Sequence, residues 1–237
     1  MLRRARARHR RRRSLLPLAI GLGIVVVLGG LIGAYKLYTV YIRHAEAVQA
    51  ADAITTRRQR HIAEQAGFSP VAMLGDSITA QGNWPELVGS GVANVGQSGD
   101  TTVGIAERAA MLPPTVRTVF LMGGINDLRT GASNEETAQN LENIVADLQP
   151  RRVYLESTLL TSDSDLNQRV DDLNVRLHDF CESGTCTFVD LNSVLAPTGT
   201  LLPEMTVDGT HLKPAAYTLW AQRIAPLLAA ERAAARH

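Results

Sequence analysis

Four short segments of the chain hold residue types that could together act on an acyl group. Gly75-Asp76-Ser77-Ile78-Thr79 follows the apolar run 71–74 and presents a hydroxyl where a strand would end. Residues 94–102 read Asn-Val-Gly-Gln-Ser-Gly-Asp-Thr-Thr, and residues 123–128 read Gly-Gly-Ile-Asn-Asp-Leu. The last segment, Asp208-Gly209-Thr210-His211, sets a carboxylate three residues before an imidazole. A serine hydroxyl attacks a carbonyl only when a base takes its proton, and the base works best when a carboxylate fixes its orientation. Ser77 is the expected nucleophile, His211 the base and Asp208 its orienting carboxylate. The negative oxygen that develops needs preset donors. The Ser77 backbone N–H, the Gly99 N–H in a loop without an obstructing side chain, and the Asn126 side-chain amide are the expected set.

Each segment alone has an ordinary reading. Gly-Asp-Ser after a strand is commonly a turn, and Gly-x-Asn-Asp can be one too. Their order and shared position after strand-like runs favour the catalytic reading. Ser98, in Gly-Gln-Ser-Gly-Asp, superficially fits a nucleophile elbow but has Asp100 where that pattern needs Gly. The Gly-rich second segment lacks the Lys and Ser/Thr of a phosphate-binding loop. Asp76 and Asp127 could pair for glycoside hydrolysis, but bonding to local backbone is the better reading. His44, His61 and His178 read as solvated. No His, Asp or Glu group shows metal-ligand spacing, so neither metal nor cofactor is expected.

These segments need a frame that brings them to one edge. Strand-like runs at 71–74, 92–95, 118–122, 153–156 and 187–191 alternate with helix-like stretches at 84–88, 103–111, 135–148, 166–180 and 214–232. Asn134 and Pro214 read as helix N-terminal signals. Short apolar strands separated by helices imply a parallel sheet covered on both faces. Ligands of such sheets bind beyond the carboxyl ends of the strands, which is where the four segments fall.

Taken together, the segments resemble the SGNH hydrolases, also called GDSL-type esterases. Gly75–Thr79 matches as G-D-S-I-T, 94–102 as N-x-G-x-x-G-D-T-T, 124–127 as G-x-N-D and 208–211 as D-x-x-H. The resemblance covers residues 71–228. It implies a three-layer α/β/α sandwich with a five-stranded, flavodoxin-like parallel sheet. It also implies metal-free ester hydrolysis through an acyl-enzyme on Ser77, with Asp208 and His211 completing the triad and Ser77, Gly99 and Asn126 forming the oxyanion hole.

The N-terminus falls outside that resemblance. Residues 1–13 carry eight Arg, whereas the other 224 residues hold 16 Lys and Arg against 23 Asp and Glu, a net −7. Residues 15–35 carry no charge, and as a helix they would span about 31 Å, close to a bilayer core of roughly 30 Å. A nucleic-acid arm is therefore not expected. The expected organisation is an Arg-rich cytoplasmic tip (1–14), a transmembrane signal anchor (15–35), a helical stalk (36–69) and a hydrolase domain (70–237). The positive-inside rule puts that domain on the periplasmic or extracellular side. A cleaved signal peptide is the competing reading. Gly29 and Gly33 form a G-x-x-x-G pair suited to weak self-association. Cys181 and Cys186 could bond on the oxidising side or remain thiols flanking a turn. The expected partner is an ester, with small acyl groups on a glycan or cell-envelope substrate preferred. A lipid ester or thioester, acetyl transfer, and a non-catalytic glycan-binding module remain as alternatives.

Overall fold

Five short apolar segments form the strands β1 (Val71–Gly75), β2 (Val92–Asn94), β3 (Thr118–Met122), β4 (Arg152–Glu156) and β5 (Thr187–Val189). Every residue of β1 and β3 is buried, as expected for strands covered on both faces. All pairings are parallel, in the order β2-β1-β3-β4-β5. This is the flavodoxin-like order, with its reversal between β1 and β3. The register sets Met73 beside Asn94 and Gly75 beside Met122, so β2, β1 and β3 deliver their following loops to one edge. This computed structural model describes residues 20, 29–44 and 62–234.

The connecting helices are α1 (Ser77–Ala80), α2 (Trp84–Val88), α3 (Thr102–Ala109), α4 (Ile125–Thr130), α5 (Asn134–Asp147), α6 (Ser164–Cys181), α7 (Asn192–Leu195) and α8 (Pro214–Ala234). Helix α5 packs against α3 and α6, while α8 packs against α2 and α7. These two groups form the layers of an α/β/α sandwich. Along α6 the buried residues Asn167, Val170, Leu173, Leu177 and Cys181 recur at helical spacing and make one inward stripe. The Asp163 side chain caps that helix by accepting from the N–H groups of Asp165 and Leu166. For α5 the cap is Ser133, one residue before the expected Asn134. Its hydroxyl accepts from Glu136 N–H at 3.1 Å, leaving the Asn134 amide to donate to the Arg169 carbonyl at 2.8 Å.

The chain divides into two compact units, Met1–Arg57 and Arg58–His237. In the second, Ile62 and Ala66 are 3% and 0% exposed and belong to the hydrophobic core, so this unit draws on residues that read as stalk. Cys181 and Cys186 are joined in a disulfide between α6 and β5. In the first, residues 29–44 are helical, and Gly29 and Gly33 have open space where a side chain would stand. The tip, most of the apolar run and much of the expected stalk lie outside the described residues. Among the described residues no helix is long and apolar enough to cross a membrane.

Candidate active site

Ser77 is the first residue of α1, separated from β1 only by Asp76. Its N–H has no acceptor within the helix and points out from the helix start. The turn into α1 is set by Asp76, which is fully buried and accepts from Ile78 N–H at 2.9 Å. Desolvation, opposed by that N–H bond, pushes the Asp76 carboxyl up to about 6. Gly75 is required before it, because a Cβ there would lie 2.5 Å from the Met122 carbonyl oxygen and 2.2 Å from Thr79 Oγ1. Two deep side chains hold the far side of α1. Trp84 Nε1 donates to the Thr79 carbonyl at 2.9 Å, and the Tyr217 hydroxyl donates to the Ile78 carbonyl at 2.7 Å.

His211 reaches Ser77 from the segment before α8. Ser77 Oγ lies 3.0 Å from His211 Nε2, and His211 Nδ1 lies 2.7 Å from Asp208 Oδ2. The other carboxylate oxygen, Oδ1, accepts from the N–H groups of Thr210 at 3.0 Å and His211 at 2.8 Å. Bonds from the His211 backbone and side chain, in that order, lower the Asp208 carboxyl to about 2. Thr206 closes the segment by bridging Leu212 and by donating its hydroxyl to the His211 carbonyl at 2.7 Å. Ser77 and the distant Asp208–His211 segment thus form a continuous hydroxyl–imidazole–carboxylate relay.

The second loop is bound to the first by Asn94. Its amide donates to the carbonyls of Ala80 and Gly82, both at 2.9 Å, and its Oδ1 accepts from Gly96 N–H at 3.0 Å. A Cβ at Gly96 would stand 2.4 Å from the Ala80 nitrogen, so the loops meet backbone to backbone. Gly99 is exposed with φ +81° and nothing within 4 Å of a would-be Cβ, which leaves its surroundings clear for a ligand. In the third loop Gly124, not Asn126, takes the left-handed conformation, with φ +104°. Asn126 is helical, in the first turn of α4, and its Nδ2 donates to the Asp100 carbonyl at 2.8 Å. An amide carries two N–H groups, so one fixes the side chain against the second loop and the other remains to meet a ligand oxygen.

Asp127 bonds beyond its own loop. Its carboxylate accepts from Thr102 N–H at 2.9 and 3.1 Å and from the Thr102 hydroxyl at 2.6 Å, pinning the start of α3. Asp76 and Asp127 are therefore structural, and Ser98 is exposed on its loop. His178 is also exposed, with its ring edge-on to Phe188.

Two features were not anticipated from sequence. Arg108, buried on α3, donates to the carbonyls of Gly75 at 2.6 Å and Val95 at 3.0 Å and pairs with Asp100. The available signal was a basic residue in line with the buried Ile105 on that helix. The second is Glu156, at the carboxyl end of β4, which is 1% exposed and accepts from Trp220 Nε1 at 2.7 Å. Desolvation, partly offset by that bond, pushes its carboxyl up to about 8.

Residues 73–219 match the model of the GDSL-like Lipase/Acylhydrolase family. The chain is a member of that family and, with it, a GDSL-type hydrolase. Among solved structures, a GDSL-like lipase from Bacteroides thetaiotaomicron is 21% identical with a TM-score of 0.62, covering 76% of this chain and 99% of the other. An acetylxylan esterase from Geobacillus stearothermophilus, solved as a catalytic mutant, is 16% identical with a TM-score of 0.55, covering 65% and 91%. At these identities the structures share the fold. N-acylneuraminate cytidylyltransferase of Streptococcus agalactiae is 28% identical over 123 residues, or 50% of this chain. The chain spans only 30% of the length of that relative.

Proposed function

We propose that the protein is a serine esterase that removes small acyl groups, acetyl foremost, from a glycan or cell-envelope substrate. The observation that carries this reading is the unbroken relay from Ser77 Oγ through His211 to Asp208. His211 Nε2 takes the Ser77 proton as Oγ bonds to the ester carbonyl carbon. The N–H groups of Ser77 and Gly99 and the Asn126 amide receive the oxyanion, and Asp208 holds the imidazolium. The C–O bond to the alcohol breaks as His211 returns the proton to it. Water, deprotonated by His211, then adds to the acyl carbon, and the bond to Ser77 Oγ breaks as His211 returns the proton to Oγ, releasing the acid.

The outer unit is near the size of the bare fold, which leaves little chain for a lid and favours short acyl groups. An acetylxylan esterase shares the fold, which agrees with an acetylated sugar as substrate. Residues 15–35 supply the proposed membrane anchor, with the N-terminus cytoplasmic and the esterase outside. Hydrolysis by the full-length protein of p-nitrophenyl esters with two to twelve acyl carbons tests the reading. Steep preference for the two-carbon ester supports it, and preference for long chains assigns the site to lipids. A fluorophosphonate probe should label the protein at Ser77 and leave Ser77→Ala unlabelled. Absence of labelling would return the domain to a binding role.

A further inference from the structure

A cavity of about 390 Å³ opens between the start of α2 and the start of α8. No relay residue lines it, but three of its lining residues are tied to the segments that carry Ser77 and His211. Gln81 lines it and ends α1, its N–H donating to the Ser77 carbonyl at 3.1 Å. Leu212 lines it and directly follows His211. Tyr217 lines it as well, and its hydroxyl fixes α8 to α1 through the Ile78 carbonyl. The cavity thus draws on the residue that ends α1 and the one that follows His211, whereas no residue of the loops that carry Gly99 and Asn126 lines it.

The His211 side of Ser77 has a defined task. His211 Nε2 must hand its proton to the departing alcohol, so the alcohol half of the ester has to lie next to the imidazole. The walls suit one kind of alcohol. Leu87, Leu212 and the Tyr217 ring supply an apolar surface, while Gln81 and Glu86 supply exposed polar groups around it. A sugar ring, with apolar faces and hydroxyls around its edge, matches both. The volume lies at the low end of the roughly 300–1,000 Å³ of small-molecule sites, which is room for about one ring. The Glu86 carboxylate accepts from the Asn83 amide and sets a negative charge at the rim, unfavourable to a phosphate or carboxylate on the ligand.

We propose that this cavity is the subsite for the alcohol half of the ester and that it receives a single uncharged, hydroxyl-rich ring in preference to an anionic one. The proposal rests on the esterase reading of Ser77. Its test uses the full-length protein and three acetyl esters: vinyl acetate, whose alcohol part is too small to use the cavity, an O-acetylated methyl glucoside, and the corresponding O-acetylated glucuronide. Thr218 lines the cavity from the exposed face of α8, so Thr218→Trp fills it from outside the core. The expected result is at least a tenfold rise in KM for the acetylated glucoside with vinyl acetate turnover within twofold of wild type. Glu86→Gln, a second and milder change, should raise the ratio of kcat/KM for the glucuronide to that for the glucoside about tenfold. Equal effects of Thr218→Trp on vinyl acetate and glucoside, or no effect on either, overturn the subsite while leaving the esterase intact. Failure of the wild type on vinyl acetate together with no fluorophosphonate adduct removes the esterase reading itself, and the subsite with it.

Discussion

Arg108 Nη2 donates to the carbonyl oxygen of Gly75 at 2.6 Å, joining a buried cation on α3 to the residue that leads into Asp76 and Ser77. The same guanidinium donates to Val95 at the head of the second loop and pairs with Asp100, whose carbonyl holds Asn126. One side chain thereby relates the Ser77 turn to the loop that carries Gly99 and to the amide beyond it. Arginine suits this because its planar fork holds several acceptors at fixed angles, which a lysine ammonium cannot reproduce.

Arg108→Lys should therefore fold and bind ester with KM within about threefold of wild type. Its kcat should fall by about 10–100-fold, since a misplacement of about 1 Å in a catalytic constellation can cost on the order of 100-fold. Steady-state kinetics with p-nitrophenyl acetate, alongside a melting curve, separate this from general destabilisation. A variant that loses melting temperature but keeps kcat would show that Arg108 acts only in the core.

Asp208→Asn should retain the backbone bonds that shape the segment, because one side-chain oxygen remains to accept from Thr210 and His211. The amide would instead face His211 Nδ1 with a donor and favour the wrong imidazole tautomer. Such an inversion costs roughly 10,000-fold in a buried triad. The Asp208 side chain is 53% exposed, so water can take part of its role, and the expected loss in kcat is about 1,000–10,000-fold. The sign of its pH dependence also follows. A carboxyl lowered to about 2 from its ordinary 3.8 stabilises the fold above the ordinary value and loses that contribution as pH falls through 2. A kcat profile from pH 4 to 9 should thus carry no limb that Asp208→Asn removes.

Asn126→Ala should lower kcat by about 100–1,000-fold, the usual cost of deleting one oxyanion donor, with little change in KM. Asn126→Asp keeps the shape but replaces the donor with an acceptor, so it should be at least as impaired. Comparable kcat values for Asn126→Ala and wild type would remove Asn126 from the oxyanion set.

The strands were legible because they rest on local signals, and so was the grouping of Ser77, Asp208 and His211. Apolar runs mark buried parallel strands, and Ser77, Asp208 and His211 have side chains with few other uses in that combination. The first-turn helices α1 and α4 were not legible, since four to six residues carry too little periodicity to separate from a loop and neither has the Pro near its start that the equally short α2 has. Nor were the ties between loops. Nothing local to Asn94 indicates that its amide will serve the carbonyls of Ala80 and Gly82. Asp127 reads in sequence as bonding local backbone, but sheet order brings Thr102 to it. Arg108 was hidden for a related reason: its acceptors are backbone carbonyls of β1 and the loop after β2, which have no sequence signature. From the sequence the hydrolase domain starts at 70, because residues 62–66 look like more of an Ala-rich helix. Only packing reveals that Ile62 and Ala66 enter the core.

Glu156 should make stability depend on pH in the direction opposite to Asp208. Its carboxyl is raised by burial from an ordinary 4.5 to about 8. Below pH 4.5 the folded and unfolded chains both hold the proton, and the fold carries no penalty. Between 4.5 and 8 the unfolded chain releases the proton while the folded chain retains it, so stability declines as pH rises. Above 8 both states are ionised and the decline levels off. Asp76 acts with the same sign, but its window closes near 6, so the interval from pH 6 to 8 belongs to Glu156. Gln is nearly isosteric, keeps an oxygen to accept from Trp220 Nε1, and does not titrate. The melting temperature of the wild type should therefore fall by several degrees between pH 6 and 8.5, at roughly 2–4 °C for each kcal/mol in a domain of this size. The Glu156→Gln curve should be flatter over that interval and cross above the wild type at its alkaline end. Differential scanning calorimetry of both proteins at matched ionic strength measures this, and parallel curves would show that Glu156 does not titrate there.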